Sequence, residues 1–238
     1  MIASDTQLSE ITTALVHTIS PKVLPRSMAA MAVRIMRMLA EGHPVALQRI
    51  ADASDVPIEQ AKLVMQQFRE MGLAELNANG SVVGMIVSLR PTVHHLRING
   101  VNLFAWCAID TLFLPEVLGQ SAGVESVCAG TEGKVRFTVT DDGVQSLNPA
   151  RTVLSIVAPG CTPGISTQCG PDLVGSQGAF CSNVLFFSSP EAAAPWLNLH
   201  PGAVILPIGE AHKLARKVWS IPFLASLSSC SQTNDVRV

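Results

Sequence analysis

The sequence predicts an α+β fold, with a winged-helix-like helical unit at the N-terminus and a larger part behind it in which short strands mix with helices. Three observations carry this. Helix-periodic segments with start and stop signals occupy residues 27–72 and close on the hairpin signal Asn77-Ala78-Asn79-Gly80. Short alternating segments punctuated by Gly, Asn and Pro follow between Thr92 and Val157. Two further helical segments lie near 190–199 and 210–219.

Residues 11–19 form a short apolar stretch that reads as a helix, broken by Pro21 and Pro25. Ser27 can cap a helix running to about Ala40, with Gly42 as its stop. Leu47 to Ala53 makes a second helix, and Ser54 or Asp55 before Pro57 opens a third that ends near Gly72. Leu73 to Leu76 and Ser81 to Leu89 then flank the hairpin turn. Three helices and a hairpin define a winged-helix-like domain over residues 1–90. Such units often bind DNA. The third helix, however, offers Glu59, Gln60, Lys62, Gln66, Gln67, Arg69 and Glu70, a balanced set where a reader of phosphates carries clustered Lys and Arg.

A second domain is expected over residues 91–225. Thr92 to Ile98 alternates as a strand and ends at Asn99-Gly100, a dipeptide suited to a tight reversal. Val101 to Leu118 is apolar on nearly all sides, the pattern of a helix buried in a core, which Pro115 should bend or end. Inside that run Cys107 and Asp110 stand three residues apart, and on a helix they share a face. An ionisable carboxyl buried there is costly, and one kept neutral by desolvation is poised as an acid. The same residues also fit a plainer reading, a small core cysteine and an aspartate bonded to backbone.

Beyond the central helix, Gly123 to Ala129 reads as a strand carrying Cys128, and Lys134 to Thr140, Val144 to Leu147 and Thr152 to Val157 as further strands. Residues 158–178, rich in Gly and Pro, form a long loop holding Cys161 and Cys169. Gly178 to Phe187 is β-prone, with Cys181 near its start. Ser189-Pro190 opens a helix to about Leu199, Ala203 to Ile208 is a strand, and Glu210 to Trp219 is a closing helix. Residues 226–238, with Cys230, read as a loose polar tail.

Composition narrows the function. Of 238 residues, 48% are hydrophobic and 14% charged, so much of the chain is expected inside a core. A net charge of −2 gives no electrostatic reason for a nucleic-acid partner, and dividing at Gly100 leaves neither part a basic module. No apolar run reaches the roughly 20 residues that span a bilayer, and Met1 to Ser20 lacks the features of a signal peptide. The expectation is a soluble, cytoplasmic protein with no membrane partner. Six widely spaced cysteines without a Cys-x-x-Cys pair argue against a structural zinc knuckle, and the compartment argues against a disulfide framework. His94 and His95 are adjacent, and on a strand they point to opposite faces, which does not suit chelation of one ion.

Leu103-Phe104-Ala105-Trp106-Cys107-Ala108-Ile109-Asp110-Thr111-Leu112, taken with Phe180-Cys181 ahead of Val184-Leu185-Phe186-Phe187, resembles the organomercurial lyase (alkylmercury lyase) family. The likeness covers most of residues 25–220. It implies protonolytic cleavage of the carbon–mercury bond of R-Hg⁺ to a hydrocarbon and Hg²⁺, for mercury detoxification, on a winged-helix-like N-terminal part and a mixed α/β domain with antiparallel sheets. By the family's pattern Cys107 and Cys181 hold the mercury, and Asp110 beside it handles the proton. Phe104, Trp106, Phe180 and Phe186 are candidates for lining a pocket around the organic group. No organic cofactor or resident metal is implied. The substrate is an organomercurial, small cytosolic thiols are partners, and a mercuric reductase is the expected acceptor of Hg²⁺. Two departures stand out: Ser182 follows Cys181 where the family has a Cys-Cys pair, and the 158–178 loop is long, with Cys161 and Cys169 as extra thiols that could collect or hand on mercury. The alternative is a non-catalytic, thiol-based metal-binding or metal-sensing winged-helix protein. A chelator has no need of Asp110, and a repressor needs a basic surface, so both features favour the enzyme.

Overall fold

The computed structural model describes residues 2–18, 20–157 and 180–228. Four helices come first: α1 (Asp5–Thr18), α2 (Arg26–Leu39), α3 (Leu47–Ser54) and α4 (Ile58–Glu70). α2 and α4 are entered directly from Pro25 and Pro57, whose φ of −53° and −57° lead into helical geometry and whose missing N–H removes one unsatisfied donor. Ser27 therefore lies inside the first turn of α2 and does not cap it. The inner side of α2, with Ala30, Val33, Ile35, Met36 and Leu39 almost wholly buried, forms the centre of the main core.

Eight strands come next: β1 (Glu75–Leu76), β2 (Val82–Met85), β3 (Val87–Ser88), β4 (His94–Ile98), β5 (Val101–Ala105), β6 (Ala122–Val127), β7 (Lys134–Thr140) and β8 (Gly143–Asn148). They form one antiparallel sheet in the order β1-β2-β3-β5-β4-β6-β7-β8. Strand pairing thus runs across residue 90, because β3 bonds β5 at Val87↔Ala105 and Ser88↔Phe104. A second antiparallel sheet has β9 (Val153–Val157) between β10 (Phe186–Phe187) and β11 (Ala203–Pro207). The remaining helices are α5 (Asp110–Leu118), α6 (Pro190–Leu199) and α7 (Ile208–Ala215), then a π-helical turn over Arg216–Ser220 leading into α8 (Ile221–Ser228). The expected closing helix is therefore two helices joined by a π turn. The expected tail begins inside α8, and its residues 229–238, Cys230 among them, lie outside the described residues, as do Cys161 and Cys169 of the loop.

The expectation of one helix over Val101 to Leu118 is corrected. Asn99 and Gly100 adopt φ of 48° and 82°, a two-residue reversal that sends the chain back beside β4 with Ile98 opposite Val101. Val101 to Ala105 is then a strand, held by β3 on one side and β4 on the other. Its pattern of Leu103 and Ala105 buried with Asn102 exposed and Phe104 half-buried has period two. Non-local pairing overrides an apolar run that reads equally as helix. The helix starts only at Asp110, and Pro115 sits inside it without ending it. What ends α5 is Gly119, at φ 71°, with the amide of Gln120 donating to the Pro115 carbonyl at 3.0 Å. Arg37 of α2 donates from Nε to the Val117 carbonyl at 3.0 Å and satisfies the same helix end. A β-carbon at Gly119 would meet nothing within 4 Å, so only backbone strain opposes one. Gly119→Ala is expected to lower stability by about 1–2 kcal/mol in urea unfolding, and Gly119→Asn by less.

Candidate active site

The first half of the site is a turn between β5 and α5. The Trp106 amide donates to the Ile86 carbonyl at 3.1 Å, and Ile86 is itself held at φ 64°, a strained conformation for a β-branched residue. Cys107, Ala108 and Ile109 are buried and turn the chain into α5. Asp110, the first residue of α5, reaches back three residues: its Oδ2 accepts the Cys107 N–H at 2.8 Å. Thr111 donates from Oγ1 to the Ala108 carbonyl at 2.7 Å and closes the same turn. Cys107 and Asp110 are thus brought together as the sequence spacing predicts, by a non-helical turn in place of one helical face.

The second half comes from the other sheet. Cys181 opens a 3-10 turn (Cys181–Asn183) in place of the expected extended segment. Ser155 of β9 clamps the chain just beyond Cys181: its amide donates to the Leu185 carbonyl at 2.8 Å, its Oγ donates to the Asn183 carbonyl at 2.8 Å, and that Oγ accepts the Leu185 N–H at 3.0 Å. With its chain pinned, the Cys181 thiol comes within hydrogen-bonding reach of the Cys107 thiol, which in turn contacts the Asp110 carboxyl. Cys107 is 1% exposed, whereas Cys181 is half-buried, so the two thiols differ in access.

Burial dominates the electrostatics. It raises the Asp110 carboxyl from an ordinary 3.8 to about 7, against the opposing effect of the hydrogen bonds from the Cys107 amide and thiol and the Trp106 amide. Burial also pushes the Cys107 thiol well above its ordinary range, aided by the hydrogen bond with Cys181 and by the charge of Asp110. Near neutral pH the site therefore holds a protonated Cys107 beside a carboxyl poised between its two states. Among the described residues, no group of three or more His, Cys, Asp or Glu side chains is arranged to hold a metal ion.

The aromatic candidates are divided by the fold. Trp106 precedes Cys107 and is half-buried. Phe180 precedes Cys181 and is half-buried, its ring 6.4 Å from that of Trp219. Phe186 is fully buried, edge-on to Phe137 at 5.6 Å and to His94 at 6.1 Å. Phe104 lies on the face of β5 opposite Leu103 and Ala105, tilted on His95 at 5.3 Å. The structure therefore places Trp106 and Phe180 next to the thiols in the chain, Phe186 in the core and Phe104 on the far face of the sheet. Sequence reasoning passed over Phe113, three residues beyond Asp110 on α5, and Trp219, which stacks on it at 5.5 Å. The helical spacing from Asp110 was the available signal for Phe113. Cys128 is buried, its amide donating to the Gly133 carbonyl at 2.8 Å, and burial raises its thiol. His94 and His95 do take opposite faces, His94 meeting Ser126 inside at 3.1 Å and His95 meeting Asn102 at 3.2 Å.

Two thiols of unequal exposure beside a buried carboxyl raised toward neutrality, on an antiparallel α+β frame, have the chemistry that soft-metal ligation and proton transfer require. A family model for alkylmercury lyase matches residues 87–220. The alkylmercury lyase of Staphylococcus epidermidis is 41% identical over 182 residues, covering 76% of this chain and 78% of that protein. The alkylmercury lyase of Bacillus cereus is 36% identical over 211 residues, covering 89% and 90%. The crystal structure of the mercury-bound form of MerB2 shares the fold, with a TM-score of 0.74 at 22% identity, over 90% of this chain and 99% of that one. The chain belongs to the alkylmercury lyase family.

Proposed function

We propose that the chain is an organomercurial lyase that cleaves the carbon–mercury bond of R-Hg⁺ by protonation and serves mercury detoxification, with Cys107, Cys181 and Asp110 as its working groups. One observation carries the reading: Asp110, poised near pH 7, contacts a buried thiol that itself lies within reach of a second. Mercury is a soft ion for which thiolate outcompetes nitrogen and oxygen ligands. Cys181, the more exposed thiol, meets R-Hg⁺ first and binds it as a thiolate, releasing its proton to solvent. The Cys107 thiol then transfers its proton to ionised Asp110 and attaches to the same mercury as a thiolate. The second thiolate raises electron density on the metal-bound carbon, and Asp110 passes the proton to that carbon. The carbon–mercury bond breaks, R–H leaves, and Hg²⁺ remains between two thiolates. Asp110 acts first as base and then as acid, which suits a group whose pKa lies near the working pH.

Helices α2 to α4 followed by the β1–β2 hairpin support a winged-helix-like N-terminal part over residues 1–90, next to a catalytic part over 91–225. No helix among the described residues is long and apolar enough to cross a membrane. Soft-metal exchange makes small cytosolic thiols, and beyond them a mercuric reductase, the natural acceptors of bound Hg²⁺ in a cytoplasmic enzyme.

Benzene release from phenylmercuric acetate by the reduced protein in excess small thiol tests the reading. Multiple-turnover benzene release is expected from the native chain and is expected to vanish in Cys107→Ser and in Cys181→Ser. Mercury bound with no benzene above the thiol-only control would overturn it.

A further inference from the structure

We propose that Trp219 is a specificity-determining residue for the organic group on mercury, its indole forming the wall on which an aryl substituent stacks. The inference rests on the lyase reading and adds to it the part of the substrate that the thiols do not touch.

Two placements lead to it. Phe180 immediately precedes Cys181, and Phe113 lies one helical turn beyond Asp110 on α5. The indole of Trp219 lies against both rings: its centroid is 5.5 Å from that of Phe113 at an interplanar angle of 17°, and 6.4 Å from that of Phe180 at 49°. One side chain thus links the chain segment that holds the exposed thiol to the helix that holds the acid. Phe113 is 1% exposed and its ring is stacked by both Trp219 and Phe223, whereas Trp219 and Phe180 are both half-buried, as Cys181 is. In this aromatic row the rings that keep exposed surface are therefore Trp219 and Phe180, and Phe180 adjoins Cys181 in the chain.

The wall is also fixed in place. Trp219 lies in the π-helical turn Arg216–Ser220, a departure from α geometry of the kind that recurs at functional sites. Arg216 of that turn forms two hydrogen bonds to Glu116 of α5, Nε to Oε2 at 2.8 Å and a terminal guanidinium nitrogen to Oε1 at 2.7 Å. The indole is thereby tied to the helix that carries Asp110. An aryl ring carried on mercury can meet this wall at the 4.5–7 Å centroid separations that aromatic pairs favour, while a methyl group offers no π face. Discrimination by one such stacked pair is about three- to ten-fold.

The test compares kcat/KM for phenylmercury and methylmercury in the native chain, in Trp219→Leu and in Trp219→Phe, with thermal unfolding to check folding. The phenyl-to-methyl ratio is expected to fall about three- to ten-fold in Trp219→Leu, with methylmercury turnover nearly unchanged, and to be largely kept in Trp219→Phe. Where Trp219→Leu fails to fold, Trp219→Met, which retains bulk without a π face, gives the same comparison. A ratio that stays within about twofold of native, or an equal fall for both substrates in a folded variant, overturns the proposal. If the native chain cleaves neither compound, the lyase reading fails, and Trp219 is judged by competition of glutathione for protein-bound phenylmercury and methylmercury. The same loss of phenyl preference in Trp219→Leu then supports the wall, and unchanged relative affinities overturn it.

Discussion

Asp110→Asn is expected to keep mercury on the two thiols and to lose carbon–mercury cleavage by about 10²–10⁴-fold, the usual worth of a positioned proton-transfer group. The amide retains an oxygen that can accept the Cys107 N–H, which Oδ2 now does at 2.8 Å, so the turn should persist. What disappears is a group able both to take the Cys107 proton and to give it up. Because ionised Asp110 must act before protonated Asp110 can, kcat/KM in the native chain should rise with pH through about 7, and that inflection should be missing from the residual activity of the variant. Benzene release at pH 6–8, with bound mercury measured in parallel, checks both. Native turnover in the variant would mean that the proton comes from elsewhere.

The same substitution should stabilise the protein at alkaline pH. A carboxyl raised from 3.8 in the unfolded chain to about 7 in the folded one binds more proton in the folded state, so its stabilising effect is complete below 3.8 and is lost as pH rises through 7. Keeping it ionised inside the fold costs about 4 kcal/mol at pH 8. His94 works in the opposite sense: burial lowers it from 6.5 to about 4, so its contribution is present above 6.5 and is lost as pH falls toward 4. Between those values the two slopes nearly cancel in the native chain. Asp110→Asn removes one of them. The variant should resist urea better than the native protein at pH 8 by up to about 4 kcal/mol, and this advantage should shrink by pH 5. Equal midpoints at pH 8 would show that the carboxyl is not held at a cost.

Much of the fold was legible because its signals are local. Asn99-Gly100 can reverse the chain in only a few ways, alternation from Lys134 to Thr140 marks a strand without reference to its neighbours, and Ser189-Pro190 opens α6 with Ser189 Oγ accepting the Ala192 N–H at 3.3 Å. Val101 to Ala105 was not legible, since an apolar run becomes strand or helix according to what lies beside it, and here β3 and β4 decide. The π turn before α8 has no sequence marker of its own, and it carries Trp219. Within the site, the closeness of Cys107 and Asp110 followed from spacing. The approach of Cys181 depends on Ser155, a residue in another strand with no motif to announce it, and only the family resemblance linked the two thiols.

Phe186→Ala is expected to lower stability by about 3–5 kcal/mol, a large share of the roughly 5–15 kcal/mol that holds a typical domain folded. The ring has no solvent-exposed surface. It lies edge-on between Phe137 and His94, while its carbonyl accepts the Ala129 N–H at 2.8 Å and its strand pairs with β9 at Leu154. Removing the ring leaves a cavity at the junction of the two sheets, which rigid strands on both sides cannot fill by collapse. Phe186→Leu, which retains most of the volume, should cost less than about 1.5 kcal/mol. Neither change is expected to alter the ratio of phenylmercury to methylmercury turnover per folded molecule, because the ring is packed against Phe137 and His94 with no exposed surface. Loss of the ring should also let water reach His94 and move its titration up from about 4 toward 6.5, which an NMR titration of the imidazole would track. Full stability with a changed substrate ratio would place Phe186 in the substrate pocket, on the opposite side of the division that the fold draws between it and Trp219.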